Sequence, residues 1–173
     1  THANINDSTI KTVLDNWYQQ NLLSYSEYIS TEAGFCNDRS LNTTSETWWS
    51  DDTKLGYGTN ETAYGPYGRL ILNANFRSNQ TPSLKCSQTN ELFTVSGNSK
   101  GNYELTYPIG LITSDEVVLA GGFGGYDNNT GYWLYTNQDY WTMSSTDFHT
   151  NGHAGEFVVY LGGDLSGGYV YGT

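Results

Sequence analysis

The chain has 173 residues, a net charge of −11 and an aromatic set of 15 Tyr, 6 Phe and 5 Trp. That length suits one domain spanning 1–173, because folding at this size buries about 70% of the unfolded chain's surface. The aromatic content argues against a disordered chain. The shortage of Lys and Arg argues against a nucleic-acid binder or a protein held on an anionic membrane surface.

The first predicted element is a helix in which Ile10, Val13, Leu14 and Trp17 form an apolar stripe, while Lys11, Thr12, Asp15, Asn16, Gln19 and Gln20 fill the other face. Asp7 or Ser8 can cap it. Leu22, Tyr25 and Ile29 continue the pattern for a turn or two. Residues 31–66 read as loop, with Trp48, Trp49, Tyr57 and Tyr64 among turn signals. Arg69-Leu70-Ile71-Leu72 reads as a short strand. Thr113 and Glu116 make a capping box for a second helix through Val117, Val118 and Leu119, stopped by Gly121-Gly122. Strand-like runs follow at Tyr132–Tyr135, Tyr140–Met143 and Glu156–Leu161, with Asn151-Gly152 as a hairpin turn before the last. Trp17 and Trp141 are expected in the core, as are Met143, Phe157 and Val159. Two helices and several short aromatic strands make an α+β domain.

Cys36 and Cys86 stand without a CxxC or a Cys/His cluster, so a structural zinc site is not expected. They read either as a disulfide or as two buried thiols. Low Lys with abundant Asn, Thr, Tyr and Gly fits an exported protein and favours the disulfide. No apolar run reaches membrane-spanning length, so no direct membrane insertion is expected. A secreted or cell-surface location follows, with any export signal lying outside these residues.

Tyr107-Pro-Ile-Gly-Leu-Ile-Thr-Ser-Asp-Glu-Val-Val-Leu-Ala-Gly-Gly122, Tyr140-Trp-Thr-Met-Ser-Ser145, Phe35-Cys-Asn-Asp-Arg-Ser40 and the helix around Asp15-Asn16-Trp17-Tyr18 resemble a family of uncharacterised domains in large secreted proteins of gut Firmicutes. More remotely, Gly110–Gly122 and the Tyr-Trp-x-x-Ser-Ser run are similar to segments of the formylglycine-generating-enzyme and C-type-lectin-like folds, with Ile112 where those relatives have proline. The resemblance implies a C-type-lectin-like fold, two helices packed on a twisted, loop-rich antiparallel sheet. Such domains close with a strand after the last glycine-rich stretch. Because the chain stops at Thr173, that strand is expected to be missing or atypical.

The chemistry of the family does not transfer with the fold. Residues 87–173 contain no cysteine for formylglycine generation, and the Glu-Pro-Asn, Gln-Pro-Asp and Trp-Asn-Asp triplets of lectin calcium sites are absent. Asp127-Asn128-Asn129 and Asp51-Asp52 are oxygen-rich but read as solvated loops. His149 and His153 have metal-ligand spacing only on a helix, which Thr150-Asn151-Gly152 breaks. A Ser144, His149, Asp147 triad lacks a nucleophile motif. Of four carboxylates available for glycoside hydrolysis, Asp115, Glu116, Asp139 and Glu156, two are explained by helix capping. No cofactor and no enzymatic activity are expected.

The remaining signal is a tyrosine surface among Gly, Asn and Ser, a composition suited to adaptable recognition. Tyr126, Tyr135, His149, Asn151, His153, Tyr160 and Tyr169 are the candidate ligand-binding residues. Residues 101–173 hold eight acids and no Lys or Arg, which points to a neutral or basic partner: a glycan, or a host or bacterial surface protein. The reading is therefore an adhesin-like extracellular domain. Its alternatives are a variable ligand-binding protein of a diversity-generating retroelement, with 144–170 as the variable stretch, or an enzyme of unknown chemistry.

Overall fold

A computed structural model of the chain describes residues 7–42, 62–72, 79–124, 128–148 and 153–171. The aromatic loop around Trp48, Trp49 and Tyr57 lies outside the described residues.

Helix α1 spans Thr9–Asn21, and Ser8 caps it by accepting a hydrogen bond from the Lys11 N–H at 3.1 Å. A two-turn 3-10 continuation, Leu23–Tyr28, follows. The helix is where the sequence places it, but its rotation is not. Val13 and Trp17 face outward, Ile10 is half exposed, and Trp17 is 50% exposed rather than buried. The inward face is Lys11, Leu14, Asp15 and Tyr18, one residue along from the expected stripe, or about 100° of helix. Tyr18 is 2% exposed. Its ring stacks on Tyr107 with centroids 4.8 Å apart, while Lys11 and Asp15 pair at 2.6 Å. A ring stack with a distant loop and an ion pair outweigh the apolar count of the helix itself.

Strands β1 (Phe35–Cys36) and β3 (Leu92–Phe93) pair antiparallel as a separate ribbon. The Cys36–Cys86 disulfide ties this ribbon to the preceding loop. Strand β2 (Thr62–Ala63) leads into α2 (Gly65–Tyr67) and then a π-helical turn, Gly68–Leu72. The expected strand at Arg69–Leu72 is thus helical, since Pro66 near the helix start favours helical backbone and a four-residue apolar run does not distinguish the two states.

Helix α3 (Ser114–Leu119) carries the expected capping box. It ends in a Schellman motif: Gly121, at φ +102°, donates to Val118 O, and Gly122 donates to Val117 O. Strand β4 (Phe123–Gly124) follows. The expected strand at Tyr132–Tyr135 is a turn instead, closed by a hydrogen bond from Tyr135 N to Tyr132 O. Trp133 there is 79% exposed.

The long strands β5 (Tyr140–Phe148), β6 (His153–Val159) and β7 (Asp164–Tyr171) complete a five-stranded sheet ordered β2-β5-β6-β7-β4. The sheet is mixed rather than wholly antiparallel, because β4 runs parallel to β7. The glycine-rich stretch is itself β7, in continuous register with β6 from His153↔Tyr171 to Val159↔Leu165. Glycine is required at Gly168, where a Cβ would lie 2.7 Å from Val158 Cγ2 and 3.3 Å from the Trp141 ring. Strands β5 and β6 pair antiparallel, and the expected hairpin turn at Asn151-Gly152 lies outside the described residues.

Leu70, Val117, Tyr132, Phe157, Val159 and Leu165 form the buried core, with Tyr140 packed against it. It lies between one face of the sheet and the α2–α3 side, and the other sheet face remains open to α1.

Candidate functional site

Alternation along the strands sorts the expected core residues into two groups. Phe157 and Val159 face the core. Trp141 and Met143 instead line the opposite face, and Trp141 is 43% exposed. That face is the floor of a cleft of about 840 Å³. Its walls are the start of α1 (Asp7, Ser8, Ile10, Lys11, Leu14), the β1–β3 ribbon (Asn37, Phe93) and residues 104–111 (Glu104, Leu105, Ile109, Gly110, Leu111). Thr142 and Glu156 share the floor with Trp141 and Met143.

The Trp-Thr-Met-Ser-Ser run builds this floor through a bulge. Between the Trp141↔Val158 and Ser145↔Glu156 pairs, β5 advances four residues while β6 advances two. Each polar side chain in the bulge has a role. Thr142 Oγ1 donates to Phe157 O at 3.0 Å and accepts from Ser144 N at 3.2 Å. Ser144 Oγ accepts from Ser114 N at 3.0 Å, anchoring the first turn of α3. Met143 N donates to Ile112 O at 2.8 Å. Ser145 Oγ donates to Glu156 Oε1 at 2.9 Å. Ser144 is buried and anchors α3 to β5, and His149 of the triad weighed with it lies outside the described residues.

Glu156 is the chemically distinctive group. Burial pushes its carboxyl up to about 7, with Asp147 adding repulsion, against the Ser145 hydrogen bond and the Arg39 guanidinium, which pull it down. Arg39 is itself held by Glu91 in a two-point ion pair. Asn37 also lines the cleft, and its buried Oδ1 has no hydrogen-bond partner. Lys11, the cleft's cation, is occupied by Asp15 at 2.6 Å and Asp7 at 3.6 Å.

The other three carboxylates weighed for hydrolysis lie in other structures. Asp115, in the first turn of α3, takes both Nε and Nη2 of Arg69, at 2.7 and 2.6 Å. Arg69 also donates to Asp38 at 2.7 Å. Burial alone would raise the Asp38 carboxyl, but hydrogen bonds from Ser40 and Arg69 hold it below its ordinary value. This cluster braces the Cys36–Ser40 segment that presents Asn37. Glu116 is consumed by the capping box, and Asp139 accepts from Leu161 N at 2.6 Å.

Of the tyrosine-surface residues, Tyr126, His149 and Asn151 lie outside the described residues. His153 opposes Tyr171 and Tyr169 opposes Gly155 in the β6–β7 register. Tyr135 Oη bonds to Asn137 Oδ1 at 2.8 Å and Leu161 O at 3.1 Å, pinning its turn to the end of β6. Tyr160 follows β6, with its hydroxyl 3.5 Å from Gly167 O. Neither Tyr135 nor Tyr160 lines the cleft. Sequence reading missed Asn37, Glu104, Leu111 and the open position of Trp141. The one local signal for the site was Glu156 at an alternating position in a strand whose other face is apolar. A smaller apolar cleft of about 420 Å³, bounded by Tyr18, Leu23, Ile29, Val95 and Tyr107, has no charged lining residue. No protein-family profile, curated protein or solved structure matches the chain.

Proposed function

We propose that the chain is a ligand-binding domain of an exported or surface-attached protein, and that its ligand occupies the cleft between α1 and the outer face of β5–β6. The observation that carries this reading is the cleft's make-up, an apolar floor and walls around one poorly solvated carboxyl group, Glu156. Concave, mostly apolar sites with few convergent polar groups are where small molecules and peptide side chains bind. The Cys36–Cys86 disulfide supports an oxidising compartment. The packing of α3 on the Tyr-Trp-x-x-Ser-Ser strand through Ser144 supports a C-type-lectin-like arrangement.

Binding is favoured over hydrolysis because Asp115, Glu116 and Asp139 are engaged elsewhere. Of the cleft's further acids, Asp7 pairs with Lys11 and Glu104 is exposed. The tyrosine surface is a weaker seat, since the Tyr135 hydroxyl is already used twice within the fold.

A neutral solvatochromic dye such as Nile red tests the reading. The wild type should give saturable enhancement, and an Ile109→Trp variant that fills the cleft should lose it while unfolding at a similar temperature. A Tyr135→Phe, Tyr160→Phe variant should bind normally. Equal binding by wild type and the filled variant would remove the cleft as the site.

A further inference from the structure

We propose that the cleft selects a cationic amphiphile, with an ammonium head at Glu156 and an apolar body against Leu14, Ile109, Leu111 and Trp141. This rests on the cleft being the binding site and adds the chemical class of what enters it.

The charges and hydrogen-bonding groups of the lining carry the argument. The cleft contains Asp7, Glu104 and Glu156 against Lys11 alone, and Lys11 is held by Asp15 and Asp7. An anionic ligand would meet three carboxylates and find the Lys11 ammonium already occupied. Glu156 lines the cleft with Ser145 on one oxygen. Once ionised, its carboxylate only accepts, so the complementary head is a donor, and an ammonium supplies three with a positive charge.

The groups that face Glu156 from neighbouring elements are Ser145 and Asp147 on β5 and Arg39 after β1. The Arg39 guanidinium forms its two-point ion pair with Glu91 rather than with Glu156, on which it acts only through its charge. Trp141 lies open beside the same floor, and an indole face also attracts a cation.

The probes are octylammonium, octanol and octanoate, titrated by calorimetry at pH 8, where Glu156 is ionised and the amine protonated. Octylammonium should bind the wild type about tenfold more tightly than octanol, the worth of one charge-assisted contact, with octanoate weakest. Glu156→Gln should bring octylammonium and octanol to near-equal affinity, chiefly by weakening octylammonium. Lowering the wild type to pH 5.5 should erase the same preference without any mutation, so the result does not depend on how the variant folds. Equal binding of octylammonium and octanol by the wild type at pH 8 overturns the charge selectivity and leaves the cleft as a neutral apolar site. A preference that survives in Glu156→Gln overturns the role of Glu156. Absence of binding by all three probes overturns this proposal together with the cleft reading.

Discussion

Ser145 and Glu156 are partners twice over. They face each other in the β5–β6 register, and Ser145 Oγ donates a 2.9 Å hydrogen bond to Glu156 Oε1. One hydrogen bond does not replace the water that burial removes, so the acid keeps its proton up to about pH 7.

Folding stability should therefore fall with rising pH in a defined window. Below the ordinary value of 4.5, Glu156 is protonated in both folded and unfolded chains and contributes no pH dependence. Between 4.5 and about 7 the unfolded chain ionises while the folded one does not, and above 7 the penalty is complete. It is on the order of 2–3 kcal/mol. Glu156→Gln lacks this loss, so in urea denaturation it should gain that amount on the wild type between pH 4.5 and pH 8. Parallel pH dependence of the two proteins would refute the buried-acid account.

Arg69 neutralises two buried carboxylates, Asp38 and Asp115. Arg69→Met should destabilise by about 3–5 kcal/mol, because it strands both charges rather than removing a pair. The loss should be greatest near neutral pH. The wild type's contribution through Asp38 is present above 3.8 and fades as pH falls through its depressed folded value. Chemical unfolding at pH 7 and at pH 3 should show the gap narrowing. A gap independent of pH would mean the cluster acts through packing alone.

Two aromatic positions on adjacent strands should respond differently to truncation. Phe157 is fully buried, so Phe157→Ala should cost about 3–5 kcal/mol. Trp141→Ala removes a half-exposed ring from the cleft floor and should cost about 1–2 kcal/mol. The comparison needs only two denaturation midpoints. Equal losses would place Trp141 in the core after all.

The Cys36–Cys86 bond closes a 50-residue separation beside the segment that presents Asn37 and Asp38. Replacing both cysteines by alanine should cost about 4 kcal/mol on the chain-entropy argument. Hydrogen exchange should then quicken in the β1–β3 ribbon before the β5–β7 strands. Uniform loss of protection would show that the bond supports the whole fold and not that wall.

How much of this was legible in the sequence depended on the range of the forces involved. Both principal helices were, because Ser8, Thr113, Glu116 and Gly121 act within a turn of the ends they define. So were the first half of β5 and the second half of β6, aromatic or alternating runs of strand-forming residues, and the pairing of the only two cysteines. The rotation of α1 was not, since it is set by the Tyr18–Tyr107 stack across 89 positions. Nor was β7, whose glycines look like loop until Val158 and Trp141 are seen to leave no room for a Cβ at Gly168. Arg69 gave no sign of its partners, which are 31 and 46 residues away. The cleft belongs wholly to this second class. Composition determined an acidic, aromatic chain. Only tertiary packing decided which sheet face would be sealed by Leu70 and Val117, and which would stay open with Glu156 and Trp141 on it.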